Sequence, residues 1–390
     1  MPIDLVHAIL VLALFVVPVL LRRLAIPSGV TSLALGIGAR AIGWGDNDPT
    51  VDLLATFGIV ALFLSAGLHV SGKDLRANAN RIAGYLAITS VLVVVLALLG
   101  IRLIGLADRA AWLLSLAVLI PSTGFILDSM AGIGLGSSER SATRVFGVAA
   151  ELVGLAALFI VTQSVSTSQI GIATLALIGL VVAVPLILKG FAAWVTTHAP
   201  QTEFAFLLVL GFVCAYVTRQ LGVYYLVGAF LVGVAAKRFR DQLPALSSER
   251  MLNGLEDFGR LFAPFYFFHA GGGISLEGLT LPAIGAGLVL IVGLVPIRVA
   301  TVALSLRLAG EPGQSLRGSA VGTALLPTLV FSLVLIAIVR ERFPVSEVVL
   351  TAVLAYTLVA TLMPSLVLGR AGRATDAAKA EVDPTVPAES

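Results

Sequence analysis

The sequence predicts an all-α polytopic membrane protein of about 13 transmembrane helices, built as two inverted repeats that each contain a broken helix. Three observations carry this expectation. Of the 390 residues, 58% are hydrophobic and only 12% charged, with a mean hydropathy of +1.03. Apolar stretches of about 20 residues, the length a helix needs to cross the bilayer's hydrocarbon, recur along the whole chain. Two of those stretches carry a proline next to a threonine at mid-span, Pro121 with Thr123 and Pro327 with Thr328. Because hydrocarbon offers no water to satisfy backbone polar groups, spans of this length must be helical.

Taken in order, the first span, 5–21, follows Asp4 and His7 and ends at Arg22 and Arg23. Without a basic start or a small-residue cleavage site, it reads as a retained helix and not a signal peptide. The next spans are 28–43, 51–70, 82–105, 110–130, 142–163 and 169–188, each an apolar run closed by polar or charged residues. Six more follow at 203–220, 223–238, 258–273, 281–306, 315–339 and 346–368. Residues 1–370 thus form the transmembrane domain. The segment 371–390, rich in Ala, Asp, Glu, Pro and Thr, is too poor in apolar residues to fold and is expected to be a disordered cytoplasmic tail.

Charge orients the bundle. Sorting the 25 Lys and Arg residues onto alternate connections puts eighteen on one side; Arg40, Arg102, Arg109, Arg219, Arg340 and Arg342 fall on the other. By the positive-inside rule the richer side is cytoplasmic, which places the N-terminus outside, the C-terminus inside and the protein in the cell (inner) membrane. The one basic residue left over, Arg298, lies within span 11. The net charge of +3 therefore reports topology, not nucleic-acid binding.

Three charged residues stand out inside the apolar runs. Glu151 sits alone within Phe146–Val161, where a carboxylate costs about 2.5–3.5 kcal/mol to place near the bilayer centre, so it is expected to face the bundle interior and to carry ions or protons. Arg298 is its expected charge partner, and Asp128 a second buried acid. A single carboxylate that holds either a proton or a small cation, but not both, is a minimal exchanger. Desolvation and charge pairing together set its titration range.

The broken spans read Leu119-Ile-Pro121-Ser122-Thr123-Gly124-Phe125 and Leu325-Leu-Pro327-Thr328-Leu-Val-Phe331-Ser332. Proline removes a backbone donor and clashes with the preceding turn, so half-helix ends are exposed where hydroxyls can re-satisfy them. Pairing spans 1–6 with 8–13 sets span 5 opposite span 12, with the halves inverted. Two broken helices at matching positions mark the substrate site of a secondary transporter. Ser122, Thr123 and Asp128 are the expected cation lining, with Pro327 and Thr328 forming the second break.

Other chemistries find little support. Cys214 has no partner cysteine, which excludes an intrachain disulfide and a multi-cysteine metal site. His69 and His269 end apolar stretches as interfacial hydrogen-bonding groups, and Gly271-Gly272-Gly273 reads as a helix end, lacking a nucleotide site's context. No nucleophile and base pair marks an enzyme. No cofactor, and no metal beyond a transported monovalent cation, is expected.

On these residues the chain resembles the monovalent cation/proton antiporter superfamily, in the branch of bacterial sodium/proton exchangers and potassium-efflux-like proteins. Pro27-Ser-Gly-Val30-Thr-Ser-Leu33-Ala34-Leu-Gly36-Ile37, Phe63-Leu-Ser-Ala-Gly67-Leu68-His69, Gly228-Ala229-Phe230-Leu231-Val-Gly233 and Phe262-Ala-Pro-Phe265-Tyr-Phe267-Phe268 are similar to its patterns. Pro121-Ser122-Thr123 falls on its Ser-Ser-Thr, Asp128 on a polar position, Glu151 on its ion-binding aspartate and Arg298 near its opposing basic residue. The resemblance implies that the two broken helices cross. It further implies a homodimer in which a six-helix core, spans 82–163 and 281–368, moves like an elevator against a dimerising scaffold.

Two departures bear on mechanism. Ala150 precedes Glu151 where many relatives carry Asp, Asn or Gln, so a one-for-one, electroneutral exchange of H+ for Na+ or K+ is expected. Pro327-Thr328-Leu329-Val330-Phe331 replaces a pattern with a further acid. The missing acids leave two alternatives open, a small organic anion transporter with Arg298 as the anion's ligand, and a non-transporting membrane sensor.

Overall fold

A computed structural model describes residues 3–24, 26–44, 48–130, 133–164, 167–198, 203–220, 225–242, 249–308 and 316–382. Their regular structure is helical throughout. In chain order the helices are α1 (Ile3–Leu21), α2 (Ser28–Ala41), α3 (Pro49–Leu68), α4 (Gly72–Ala77), α5 (Ala79–Leu99), α6 (Asp108–Leu119), α7 (Thr123–Ser129) and α8 (Ser137–Gln163). Then come α9 (Thr167–His198), α10 (Glu203–Gln220), α11 (Tyr225–Gln242), α12 (Glu249–Gly272), α13 (Leu281–Leu308), α14 (Gly318–Ala324), α15 (Leu329–Arg342) and α16 (Glu347–Val382).

Each of the thirteen expected spans falls on one of these helices or on an interrupted pair. Among the described residues, seven helices are long and apolar enough to cross a membrane, and α14 with α15, bent by 45°, makes an eighth. The remaining spans are shorter or carry more polar residues. The last helix departs from expectation, since α16 runs past 368 as far as Val382. Its extension is rich in alanine, the strongest helix former, so intrinsic propensity favours continuing the helix. Residues 383–390 lie outside the described residues.

The chain divides into two compact units. One comprises residues 1–20, 28–77 and 152–276. In it α3 packs against α11 and α12, and α12 also against α2. Gly67 of α3 and Gly233 of α11 sit where a Cβ on either would strike the other helix's backbone, at Phe230 O and Leu64 O respectively. Small residues of this kind let membrane helices approach backbone to backbone, where dispersion replaces the missing hydrophobic drive. Phe57, Phe258 and Phe262 fill the α3–α12 seam, with ring centroids 5.5 Å apart for Phe57–Phe262 and 4.3 Å for Phe258–Phe262.

The N-terminus of α3 is capped twice over. Asp48 accepts the Thr50 N–H at 2.8 Å and pairs with the His7 ring, and Pro49 occupies the first turn, where no N–H is needed. The hydrogen bond from His7 holds the Asp48 carboxyl below its usual range. Nearby, Asp52 pairs with His269 Nδ1 at 3.0 Å, so His269 bonds a carboxylate near the end of α12. His69 Nδ1 bonds the Ser65 carbonyl at 2.8 Å within its own helix.

The second unit comprises residues 21–27, 78–151 and 277–390. Here α13 packs against α16, α14 and α5, while α6 packs against α5 and α15. Gly322 lets α14 lie on α13, because a Cβ there would meet Val299 Cα at 2.9 Å. Tyr85 of α5 stacks on Phe146 of α8 at 5.2 Å. Near the start of α8, Glu139 is gripped by Arg317, whose Nε and Nη2 donate to its two oxygens at 2.8 Å each.

Candidate functional site

The second unit holds both chain breaks, and they touch. After Leu119 the backbone turns extended at Ile120, passes through Pro121 and Ser122 and re-enters a helix at Thr123. After Ala324 it leaves the helix through Leu325, Leu326, Pro327 and Thr328 and resumes at Leu329. The Ser122 N–H donates to Pro327 O at 2.9 Å, and Ser122 Oγ accepts the Phe331 N–H at 3.0 Å. Ser332 Oγ donates to Ala117 O at 2.6 Å and lies 2.9 Å from Thr328 Oγ1. The two interrupted helices are thus cross-linked at their gaps.

Each half-helix end leaves orphan backbone groups, and in a buried setting each needs a partner. At the start of α7, the Thr123 N–H donates to Glu151 Oε2 at 3.3 Å. At the end of α14, the carbonyls of Leu325 and Leu326 accept from Arg298 at 2.8 and 2.9 Å. Arg298 also donates to the Tyr356 hydroxyl at 2.9 Å, which in turn donates to Val118 O at 3.0 Å, just before the first break. Three of the guanidinium's five donors are therefore committed.

Glu151 is 3% exposed, Arg298 7% and Thr123 1%. The carboxylate faces the positive end of a half-helix, where fixed N–H dipoles favour negative charge. Beside it the Thr123 hydroxyl is buried next to the carboxyl and, among the described residues, makes no well-aligned hydrogen bond. Gly147, one turn before Glu151, leaves room for that hydroxyl, since a Cβ would lie 3.2 Å from it. A carboxylate flanked by an unengaged hydroxyl in a buried setting has oxygen lone pairs for a small cation and an acceptor for a proton. A cavity of about 10 Å3, lined in part by Leu119, Leu325, Arg298 and Thr301, has room for about one water beside the breaks.

The structure brings Glu151, Ser122, Thr123, Pro327 and Thr328 together around the crossing. It places Arg298 differently from the sequence expectation: among the described residues no ion pair joins it to Glu151, and its donors go to the carbonyls of Leu325 and Leu326 and to Tyr356. The cause is local. An unwound segment frees carbonyls that must be satisfied in a low-dielectric interior, and a planar guanidinium can serve two of them at once. Asp128 belongs to α7, and its side chain lies outside the described residues. Tyr356 and Ser332 join the site unexpectedly. Both carry hydroxyls inside apolar spans, which was the available signal. Among the described residues no cluster of three or more His, Cys, Asp or Glu could hold a metal ion.

Known proteins share this architecture. The chain is 25% identical over 381 residues to the Probable Na(+)/H(+) antiporter 3 of Methanocaldococcus jannaschii, covering 93% of this chain and 95% of that protein. It is 22% identical over 268 residues to the Na(+)/H(+)-K(+) antiporter GerN of Bacillus cereus, covering 66% of this chain and 68% of that one. The solved structure of the sodium proton antiporter MjNhaP1 from Methanocaldococcus jannaschii superposes with a TM-score of 0.66 at 16% identity, over 96% of this chain and 98% of that chain, which establishes the shared fold. The transmembrane profile of the sodium/hydrogen exchangers matches residues 10–372. With nearly every span accounted for, this polytopic membrane protein belongs to the sodium/hydrogen exchanger family.

Proposed function

We propose that this protein exchanges protons for a monovalent cation, Na+ or K+, by alternating access, with Glu151 as the exchange carboxylate. The observation that carries the reading is the pairing of a buried carboxylate with a half-helix N–H and an unengaged hydroxyl at the crossing of two broken helices. Bound cation and bound proton would compete for the same oxygens, and that competition couples the two fluxes. Thr123 and Ser122 line the site, Asp128 is a further ligand on α7, and Pro327 with Thr328 shape the second break. Arg298 acts by neutralising the carbonyl-rich end of α14 and not by pairing Glu151 directly. The names of the relatives, Na+/H+ and Na+/H+-K+ antiporters, support the choice of ions.

The finer points follow from the same site. One exchange carboxylate gives a one-for-one, electroneutral cycle. Spans 82–163 and 281–368 form the core that carries the ion, and the chain works as a homodimer in the cell (inner) membrane, with the N-terminus outside and the C-terminus in the cytoplasm. The excess of Lys and Arg on one set of connections supports that orientation. An organic anion would need Arg298, most of whose donors are already engaged, so the cation reading is preferred.

The test is proton movement from acid-loaded proteoliposomes, followed with a pH dye on adding Na+, K+ or Li+, for the native protein beside Glu151→Gln. Cation-dependent proton efflux that the substitution abolishes supports the reading. A folded preparation that responds to no cation between about pH 6 and 9 overturns it.

A further inference from the structure

The guanidinium of Arg298 has more donors than its protein partners use. Nη1 serves Leu326 O and the Tyr356 hydroxyl, and one N–H of Nη2 serves Leu325 O. Among the described residues nothing accepts the Nε–H or the second N–H of Nη2. The side chain is buried, so these two donors have lost the hydration they would enjoy in water, a loss that only another acceptor offsets.

Arg298 also borders the small cavity beside the breaks, whose volume is about 10 Å3. Three further polar side chains line that cavity, Tyr85 and Thr89 of α5 and Thr301 of α13, and all three are buried. Leu119 and Leu325 supply apolar wall. The Thr89 hydroxyl lies beside that of Tyr85. Thr301 donates to Ile297 O at 2.9 Å, which leaves its oxygen to act as an acceptor. Guanidinium donors and hydroxyl oxygens from two helices therefore meet around one space.

Size and chemistry select the occupant. The space is about that of one water molecule, and a buried water needs roughly two to four polar partners, which these side chains provide. The guanidinium repels a cation, and a chloride ion is larger than the space. We propose that this cavity binds a single ordered water, which accepts from Arg298 and bonds the hydroxyls of α5. The water extends the arginine's hold from α13 to α5. On α5 the Tyr85 ring stacks on Phe146 of α8 at 5.2 Å, and Phe146 stands five residues before Glu151. Tyr85 is thus a neighbour both of the water at the second break and of the helix that carries the buried carboxylate. This water belongs to the fastening of the second break, whichever group carries the exchanged ion.

The test reads the water directly and needs no transport assay. Brief X-ray radiolysis of the full chain in detergent, followed by mass spectrometry, oxidises side chains that lie beside bound water even where bulk solvent does not reach. Tyr85, 4% exposed, is expected to be modified at least about fivefold faster than Tyr266, which is 6% exposed and sits on α12 in the other unit. Thr89→Ile, whose longer side chain fills the space, is expected to cut Tyr85 modification by at least about tenfold, while Thr89→Ser, which keeps the hydroxyl, stays within about twofold of native. Because filling the cavity strands the donors of Arg298, the isoleucine variant is also expected to unfold at lower temperature. Thr301→Ile fills the same space from α13 and serves where the first variant does not fold. Tyr85 modified no faster than Tyr266, modification unchanged by filling, or a filled variant that unfolds at higher temperature, as a dry cavity would give, overturns the proposal.

Discussion

Arg298 and Tyr356 form a single fastening across both helix breaks. The guanidinium donates to the tyrosine hydroxyl at 2.9 Å while holding the carbonyls of Leu325 and Leu326, and the hydroxyl donates in turn to Val118 O at 3.0 Å. The carbonyls of Leu325, Leu326 and Val118 are thereby satisfied from one helix, α13, with one intermediary on α16. The arrangement explains how a positive charge is tolerated at 7% exposure. It sits against the negative ends of two half-helices.

Removing either member should therefore destabilise the fold, by different amounts. Arg298→Met leaves two carbonyls and the Tyr356 hydroxyl without a donor and is expected to cost about 3 kcal/mol, whereas Tyr356→Phe strands Val118 O and one Arg298 N–H and is expected to cost about 2 kcal/mol. Thermal unfolding in detergent measures both. Native-like unfolding of the arginine variant would mean that the carbonyls find other partners.

The Thr123 hydroxyl should report on cation binding without reporting on stability. Thr123→Val removes Oγ1 but keeps the N–H that Glu151 accepts, so the apparent KM for the cation is expected to rise about tenfold, the worth of roughly one ligand at 1.4 kcal/mol, with little change in unfolding temperature. Thr123→Ser should restore most of the affinity. Equal KM values for all three proteins would remove the hydroxyl from the cation's shell.

Voltage tests the stoichiometry. With one exchange carboxylate, clamping the membrane potential of proteoliposomes with a lipid-permeant ion gradient should leave the rate of cation-dependent proton movement unchanged. A steep response, which a net charge crossing the field at about 2.3 kcal/mol per 100 mV would produce, rejects one-for-one exchange.

The glycine contact between α3 and α11 should be sharply sensitive to a single methyl group. Gly67→Ala and Gly233→Ala each drive a Cβ into the opposing backbone, which cannot move away as a flexible side chain would. Each is expected to destabilise by about 1–3 kcal/mol. Gly84→Ala is the control, having open space at its Cβ, and should be neutral or slightly stabilising.

Acid should loosen the start of α3. Because the His7 hydrogen bond holds Asp48 below its unfolded value, the pair adds stability above the ordinary carboxylate range, and that stability is lost as pH falls through the lowered value. Protection factors at the amides of Thr50 and Val51, which divide out the intrinsic pH dependence of exchange, should fall over that window in the native protein. In Asp48→Asn, which keeps a cap oxygen but loses the charge, they should stay flat across the window.

The legible residues were those whose chemistry clashes with their neighbours. Glu151 and Arg298 stood out because a charge inside an apolar run is expensive. Pro121 and Pro327 stood out because a ring without an N–H cannot continue a helix unaided. Ser332 gave no signal of a partner because a Ser or Thr hydroxyl in a membrane span can satisfy itself on its own preceding turn, as Thr301 does with Ile297 O at 2.9 Å, and Tyr356 gave none because an aromatic ring in an apolar span reads as packing. Nothing in their spacing says that these two reach across to another helix.

The sequence by itself determined the class of protein, the positions of its spans and the two places where helices must break, since each of these depends on the local balance of apolar, charged and proline residues against hydrocarbon. It could also single out the buried carboxylate. Only the tertiary structure decided who satisfies whom. Glu151 takes the N–H of Thr123, and Arg298 turns to the carbonyls of Leu325 and Leu326 instead of to Glu151. The physical reason is that an opposite charge is one suitable partner among several, while an unwound backbone creates a demand for donors whose location appears only when the two breaks are brought together.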